Sequence, residues 1–217
     1  DEIGPSTTTN LGIDVSYTIR FENESRLAFG IKAGGQLLNI DYTKLNHYNP
    51  SDVSFRNNIA NQFSPNIGVG LFYYNENSYL GLSVPMLLET KSYDEFAYSD
   101  VNRRQHFYLA GGKVFDLTYN LKFKPAFVAK MVAGAPLQVD LTGNFLINEK
   151  FTVGLAYRWS AALSALVGFK VSDRLAIGYG YDRETTRLSN FNSGSHELFL
   201  QFDLFKINQH IETPRFF

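Results

Sequence analysis

Residues 11–34, LGIDVSYTIRFENESRLAFGIKAG, alternate apolar with small or polar residues on both sides of a short polar turn. Leu11, Ile13, Val15, Tyr17 and Ile19 occupy every second place, with Gly12, Asp14, Ser16 and Thr18 between them. A period of two sends the two sets to opposite sides of an extended chain, so the pattern is that of a strand and not of a helix with its period of ~3.6. After FENES the alternation restarts with Leu27, Phe29, Ile31 and Ala33, which predicts an antiparallel hairpin.

The same period continues through the chain. Apolar sets recur at Ile67, Val69, Leu71, Tyr73, at Leu80, Leu82, Val84, Met86, Leu88, and at Leu121, Phe123, Pro125, Phe127, Ala129, Met131. They continue with Leu137, Val139, Leu141, Phe145, Ile147, then Phe151, Val153, Leu155, Tyr157, Trp159, then Leu163, Ala165, Val167, Phe169, Val171. Leu175, Ile177, Tyr179, Tyr181 and finally Leu198, Leu200, Phe202, Leu204 complete the series. Between 104 and 115 both parities carry aromatics, and Lys113 on the other side assigns Tyr108, Ala110, Gly112 and Val114 to the apolar face. Together these make about eleven strands of roughly 9 to 12 residues, the length at which a tilted strand crosses a bilayer. Strands of globular proteins are nearer ~5 to 6 residues.

Composition points the same way. Of 217 residues, 20 are Lys or Arg and 21 are Asp or Glu, and a net charge of −1 offers no electrostatic footprint for nucleic acid. Aromatics reach 15% and charged residues 19%, below the ~25% of an average soluble domain. No apolar run approaches the roughly 20 residues of a membrane-spanning helix. The sequence has no cysteine, which removes disulfides, thiol nucleophiles and thiolate metal sites.

The connections alternate in length. FENES, NENS, DLTYN, NEK and SDR are short and polar, whereas those near 41–64, 89–102 and 184–194 are long; two others on the long side, Ala133 to Pro136 and Ser160 to Ala162, are short. Short periplasmic turns opposite longer surface loops describe an outer-membrane barrel. A soluble sandwich or lipocalin-like barrel would alternate as well. Against it, aromatics at strand ends (Tyr17, Tyr73, Tyr79, Tyr119, Phe151, Tyr157, Trp159, Tyr179, Tyr181) suit interfacial girdles, and the opposite face is rich in small residues where water would call for more Lys and Glu.

The expected fold is therefore all-β: one antiparallel transmembrane β-barrel domain over 1–217, with 206–217 as a periplasmic C-terminal tail. With the short turns in the periplasm, the first strand runs downward and the eleventh ends in the periplasm. An even-stranded barrel with both termini in the periplasm then needs an odd number of strands before Asp1, and three is the smallest addition that leaves room inside for a chain segment, giving 14. The opening DEIGPSTTTN, without a Met or an apolar leader, is expected to follow a signal peptide and those strands.

The face opposite the apolar sets holds the candidate site. Glycines and alanines leave room along the wall, while charge comes from a few positions. Asp14, Lys32, Gly70, Lys122, Lys124, Lys130, Asp140, Gly154, Arg158, Gly178 and Glu197 are the residues expected to meet a partner segment in the lumen. The competing picture is a mixed-charge lumen filled by its own side chains and water. In the long loop over 41–64, Tyr42, Tyr48, Asp52 and Phe55 are expected at the cell surface.

Chemistry-bearing constellations are absent from the pattern. His47, His106, His196 and His210 are scattered and show no metal-ligand spacing, and His106 and His196 read as facing outward near strand ends. A barrel hydrolase would need a Ser or Asp beside a His and a third group to orient it, and with His106 and His196 read as outward no catalytic residue, metal or cofactor is assigned. Gly30 to Gly35 looks like a phosphate loop, but no helix follows to receive a phosphate, and a bulge or bend suits it better.

Residues 66–88, NIGVGLFYYNENSYLGLSVPMLL, and the final TPRFF resemble the PorP/SprF family of type IX secretion system outer-membrane proteins. The resemblance extends through LAFGIKAG (27–34), NPSD (49–52), YRWSAALSALVGFKV (157–171) and GSHELFLQFDL (194–204). It implies a barrel in the bacterial outer membrane, without catalytic activity, that serves the type IX secretion and gliding machinery. It also implies two kinds of partner besides lipid: a secreted surface adhesin that is exported or anchored, and a periplasmic peptidoglycan-associated protein. A frequent family pattern places Asp-Pro before the NPSD-like segment, where this sequence has Asn46 and His47. The alternative class is a passive porin or hydrophobic-solute channel, and a lipid-hydrolysing barrel is the third.

Overall fold

A computed structural model describes residues 2–44, 58–88, 91–92, 101–102 and 104–204. A two-residue strand, β1 (Glu2–Ile3), leads into β2 (Ser6–Arg20), β3 (Arg26–Ile40), β4 (Ile59–Tyr74) and β5 (Ser78–Val84). The short β6 (Lys91–Ser92) and β7 (Val101–Asn102) precede β8 (His106–Lys113), β9 (Phe115–Thr118), β10 (Leu121–Val132) and β11 (Gln138–Ile147). The series ends with β12 (Phe151–Arg158), β13 (Ala162–Lys170), β14 (Leu175–Glu184) and β15 (Ser195–Phe202). Two turns of 3₁₀ helix, Tyr42–Lys44 and Arg187–Asn190, lie in the loops. No helix among the described residues is long and apolar enough to cross a membrane.

Thirteen strands form one antiparallel sheet, and β6 and β7 pair with each other. Each long strand pairs with the next long strand in the chain, as short turns favour. The eleven long strands, β2–β5, β8 and β10–β15, match the eleven segments read from periodicity. Their lengths spread beyond that reading, from 7 residues in β5 to 16 in β4. β2 and β15 lie toward opposite ends of the sheet and do not pair with each other. As first and eleventh in a consecutive antiparallel series, they run in the same direction.

Cross-strand partners share a face, so the register carries each face from strand to strand. Leu71 pairs with Leu82, Leu82 with Leu109, Leu109 with Ala129, and Ala129 with Val139. Farther along, Leu141 pairs with Tyr157, Tyr157 with Leu163, and Tyr179 with Leu198. On this face the eleven long strands carry two charged residues, Lys113 and Arg183. The face is nevertheless open: Ile13 is 72% exposed, Leu155 62% and Leu200 71%. Among the described residues the buried apolar side chains are Val84, Val114 and Ala162. A soluble sandwich would cover this face with a second sheet. Among the described residues none covers it, and a lipid-facing barrel wall is the architecture that leaves such a band outside.

The structure corrects four placements. Leu109, not Tyr108, pairs with Leu82, so Phe107, Leu109 and Gly111 join the apolar face, and Tyr108, Ala110 and Gly112 the polar one. Aromatics on both parities left the period undecided there, and the neighbouring strands fix it. Because His106 pairs with Val132 and shares the parity of Tyr108, it too faces the polar side. Tyr79 pairs with Tyr74 and Gly112 on the polar face and is not part of a lipid-side girdle. Finally, β3 ends at Ile40 and β4 begins at Ile59, so residues 59–64 of the loop read as 41–64 belong to β4, where Phe63 and Ser64 pair with Leu37 and Gln36. The tail over 206–217 lies outside the described residues.

Candidate partner-binding face

All eleven lumen candidates fall on the polar face, because the register links them: Asp14 with Lys32, Gly70 with Ser83, Lys130 with Gln138, Asp140 with Arg158, Gly178 with Phe199, and Glu197 with Gly180. Their surroundings divide the face into three regions.

The first is the charged strip on β10–β12. Asp140 receives Arg158 Nε at 2.9 Å and Lys130 Nζ at 3.1 Å, and Gln138 Nε2 donates to it at 3.4 Å. Lys122 Nζ lies 3.5 Å from Asp116. Lys124, only 6% exposed, sets its ammonium 5.7 Å from the ring centre of Tyr79. Lys122, Lys124 and Lys130, which lie on one face of β10, are thus engaged by the wall itself. Such pairs orient side chains more than they stabilise, because they remain partly solvated. A double-mutant cycle with Lys130→Met and Asp140→Asn is expected to give a coupling of about 0.5–1 kcal/mol in urea unfolding. A coupling near zero would mean that the strip is not ordered by this pair.

The second region is a hollow of about 340 Å³ on β2–β5 and β8. Its floor includes Ser16, Ala28, Gly30, Gly70, Gly81, Ser83 and Ala110, and Phe72 and Tyr108 also line it. A Cβ at Gly70 would meet neighbours no closer than 3.6 Å, so the glycine opens onto usable space. The Lys32–Asp14 pair, at 3.8 Å, lines an adjoining hollow of about 290 Å³.

In the third region, over β11–β15, small residues do not mean free space. The Asn144 side chain occupies the place a Cβ at Gly154 would need, and the Phe199 ring does the same over Gly178. Glu197 is exposed beside Gly180.

A ladder of rings that the sequence reading did not single out crosses the face near the short-turn end. Arg26 stands 5.8 Å from the Tyr74 ring, Tyr74 5.4 Å from Phe72, and Phe72 5.7 Å from Tyr79, which meets Lys124. Phe72 and Tyr74 sit on the parity opposite Leu71 and Tyr73, so their direction was legible; that Tyr79 and Lys124 converge on them needed the register.

Of the loop candidates, Tyr42 starts a 3₁₀ turn, while Tyr48, Asp52 and Phe55 lie outside the described residues. Asp41 ties the loop base together: its Oδ1 accepts from the Thr43 hydroxyl at 2.6 Å, the Thr43 amide at 3.1 Å and Asn58 Nδ2 at 2.9 Å. The Thr43 hydroxyl leads these donors in holding the Asp41 carboxyl below its ordinary pKa, with partial desolvation opposing. Among the described residues no three His, Asp or Glu side chains converge as a metal site. His47 and His210 lie outside them.

The sequence profile of a family described as Type IX secretion system membrane protein PorP/SprF matches residues 1–202. No curated protein matches the chain.

Proposed function

The chain belongs to the PorP/SprF family of type IX secretion system membrane proteins, and from that premise we propose that it is a non-enzymatic barrel of the bacterial outer membrane that holds or helps export a secreted surface adhesin. In this reading the short turns face the periplasm and a peptidoglycan-associated partner, the long loops face the medium, and a segment of the exported protein lies against the polar face. The observation that carries it is the contrast between the two faces. One is an apolar band with two charges on the eleven long strands, and the other is an ordered polar wall with an open hollow around Gly70. Glycine and alanine on such a wall let another backbone approach closely. The ladder of rings and the paired charges supply recognition more than bulk affinity.

Sidedness is tested by single cysteines, since residues 1–217 contain none of their own. In intact cells a membrane-impermeant maleimide is expected to label Tyr42→Cys and to miss Glu149→Cys in the short turn after β11, until the outer membrane is opened. Labelling of both, or of Glu149→Cys alone, would refute the orientation. Retention of an adhesin is tested by purifying the protein in detergent and identifying what accompanies it. A freely conducting pore in a planar bilayer, with no companion protein, would favour the porin class instead.

A further inference from the structure

The apolar face carries two charges on its long strands: Lys113, whose ammonium lies 5.2 Å from the Phe115 ring, and Arg183, which stands beside a cluster of Tyr179, Tyr181 and His196. Arg183 is the penultimate residue of β14, at the long-loop end, and is exposed. Among the described residues it makes no ion pair. Two places earlier on the same face is Tyr181, whose ring lies 4.9 Å from that of His196 of β15, tilted by 41°, and whose hydroxyl donates to Ser193 O at 2.9 Å. Tyr179 Oη lies 2.5 Å from His196 Nδ1. A hydroxyl donating to that nitrogen leaves the ring proton on Nε2, free to be given to another acceptor.

His196 pairs directly with Tyr181, which makes Arg183 its diagonal neighbour, at the roughly 7–8 Å of such positions and within reach of a long side chain. A guanidinium on a lipid-facing wall is costly toward the bilayer midplane and becomes tolerable where headgroups begin. Arginine supplies a planar fork of donors suited to phosphate oxygens. Tyr157 and Trp159, 42% and 64% exposed, stand on the same side of the sheet near its long-loop end, as interfacial aromatics do.

We infer that Arg183 and His196 form a binding site for the phosphate of an anionic lipid headgroup, in the leaflet at the long-loop end. Arg183 takes two phosphate oxygens, His196 Nε2 donates to a third or to a headgroup hydroxyl, and Tyr179 and Tyr181 hold the imidazole in place. The site rests on the membrane-embedded reading above. If that reading places the long loops outside, the lipid is the phosphorylated glycolipid of the outer leaflet.

The test uses the folded protein in phosphatidylcholine nanodiscs that contain lipid A, dephosphorylated lipid A, or neither, with inorganic phosphate added to a parallel lipid A sample. Retained lipid is counted by native mass spectrometry, and folding is checked by heat-modifiable gel mobility. The native protein is expected to retain lipid A over its dephosphorylated form. The Arg183→Gln/His196→Gln pair is expected to lose about tenfold or more of that preference, the scale of one or two charge-assisted hydrogen bonds. Lys170→Gln, which removes a cation from the polar face, is expected to leave retention unchanged, and Arg183→Lys to keep part of it. Equal retention by the double variant, or equal holding of the dephosphorylated lipid, would overturn the site. Displacement of lipid A by inorganic phosphate alone would reduce it to a free-anion contact. The binding measurement does not depend on which way the barrel faces, so a failed cysteine-labelling result and a failed site remain distinguishable.

Discussion

Leu141→Arg is expected to block assembly in the membrane, whereas the neighbouring Thr142→Arg is expected to be accepted. Leu141 lies near the middle of β11 on the apolar face, between Phe127 and Tyr157, and is 47% exposed. Arginine there would meet hydrocarbon, at a cost of about 2–4 kcal/mol near the midplane of a barrel. Thr142 points the other way, between Ala126 and Ala156, where an arginine can extend over the polar face into water. Heat-modifiable mobility and urea unfolding in vesicles read the difference. Equal loss in the two variants would mean that the faces are assigned wrongly.

The second large effect separates glycines that look alike in sequence. Gly178→Ala is expected to destabilise by about 1–3 kcal/mol, because the new methyl falls where the Phe199 ring stands and the ring must move. Removing the ring should recover much of that loss, so Gly178→Ala/Phe199→Ala is expected to be more stable than the sum of the two single changes predicts. Gly70→Trp, by contrast, should leave the fold intact, since a Cβ at Gly70 makes only ordinary contacts, at 3.6 Å to Leu82 O and Ser83 Cβ, and opens onto the hollow. It should abolish retention of a companion protein if the hollow receives one. A folded Gly70→Trp protein that still purifies with its full complement of partner would move the binding surface to the loops or turns. Additive behaviour at Gly178 and Phe199 would show that the ring does not rest where the structure has it.

The strands were legible because membrane-facing β-structure leaves a strong trace in one dimension. From Leu11 to Ile19, and again from Phe151 to Trp159, every second residue is apolar, and the backbone has no other way to send those residues to one side. The trace fades where both parities suit a wall. In the stretch from His106 to Lys113, Phe107 and Tyr108 are equally plausible outward residues, and only pairing of Leu109 with Leu82 and Ala129 decides between them. Tyr79 was misread for a related reason. An aromatic at a strand end suits a lipid girdle or a polar-face ladder, and the sequence does not say which neighbours await it.

By itself, then, the sequence determined the number of long strands, their short turns, the two faces of every long strand but β8, and the membership of all eleven lumen candidates in the polar one. These properties follow from a period of two, which each strand carries within itself. Tertiary structure decided what each polar-face residue meets. Lys122, Lys124 and Lys130 form a basic row in the chain, yet their partners Asp116, Tyr79 and Asp140 come from β9, β5 and β11. Gly70 and Gly178 share a residue type and a face, but one opens onto space and the other lies under a ring from the next strand. Such differences depend on register between strands, which is set by cross-strand packing and turn geometry, and alternation within a single strand does not encode them.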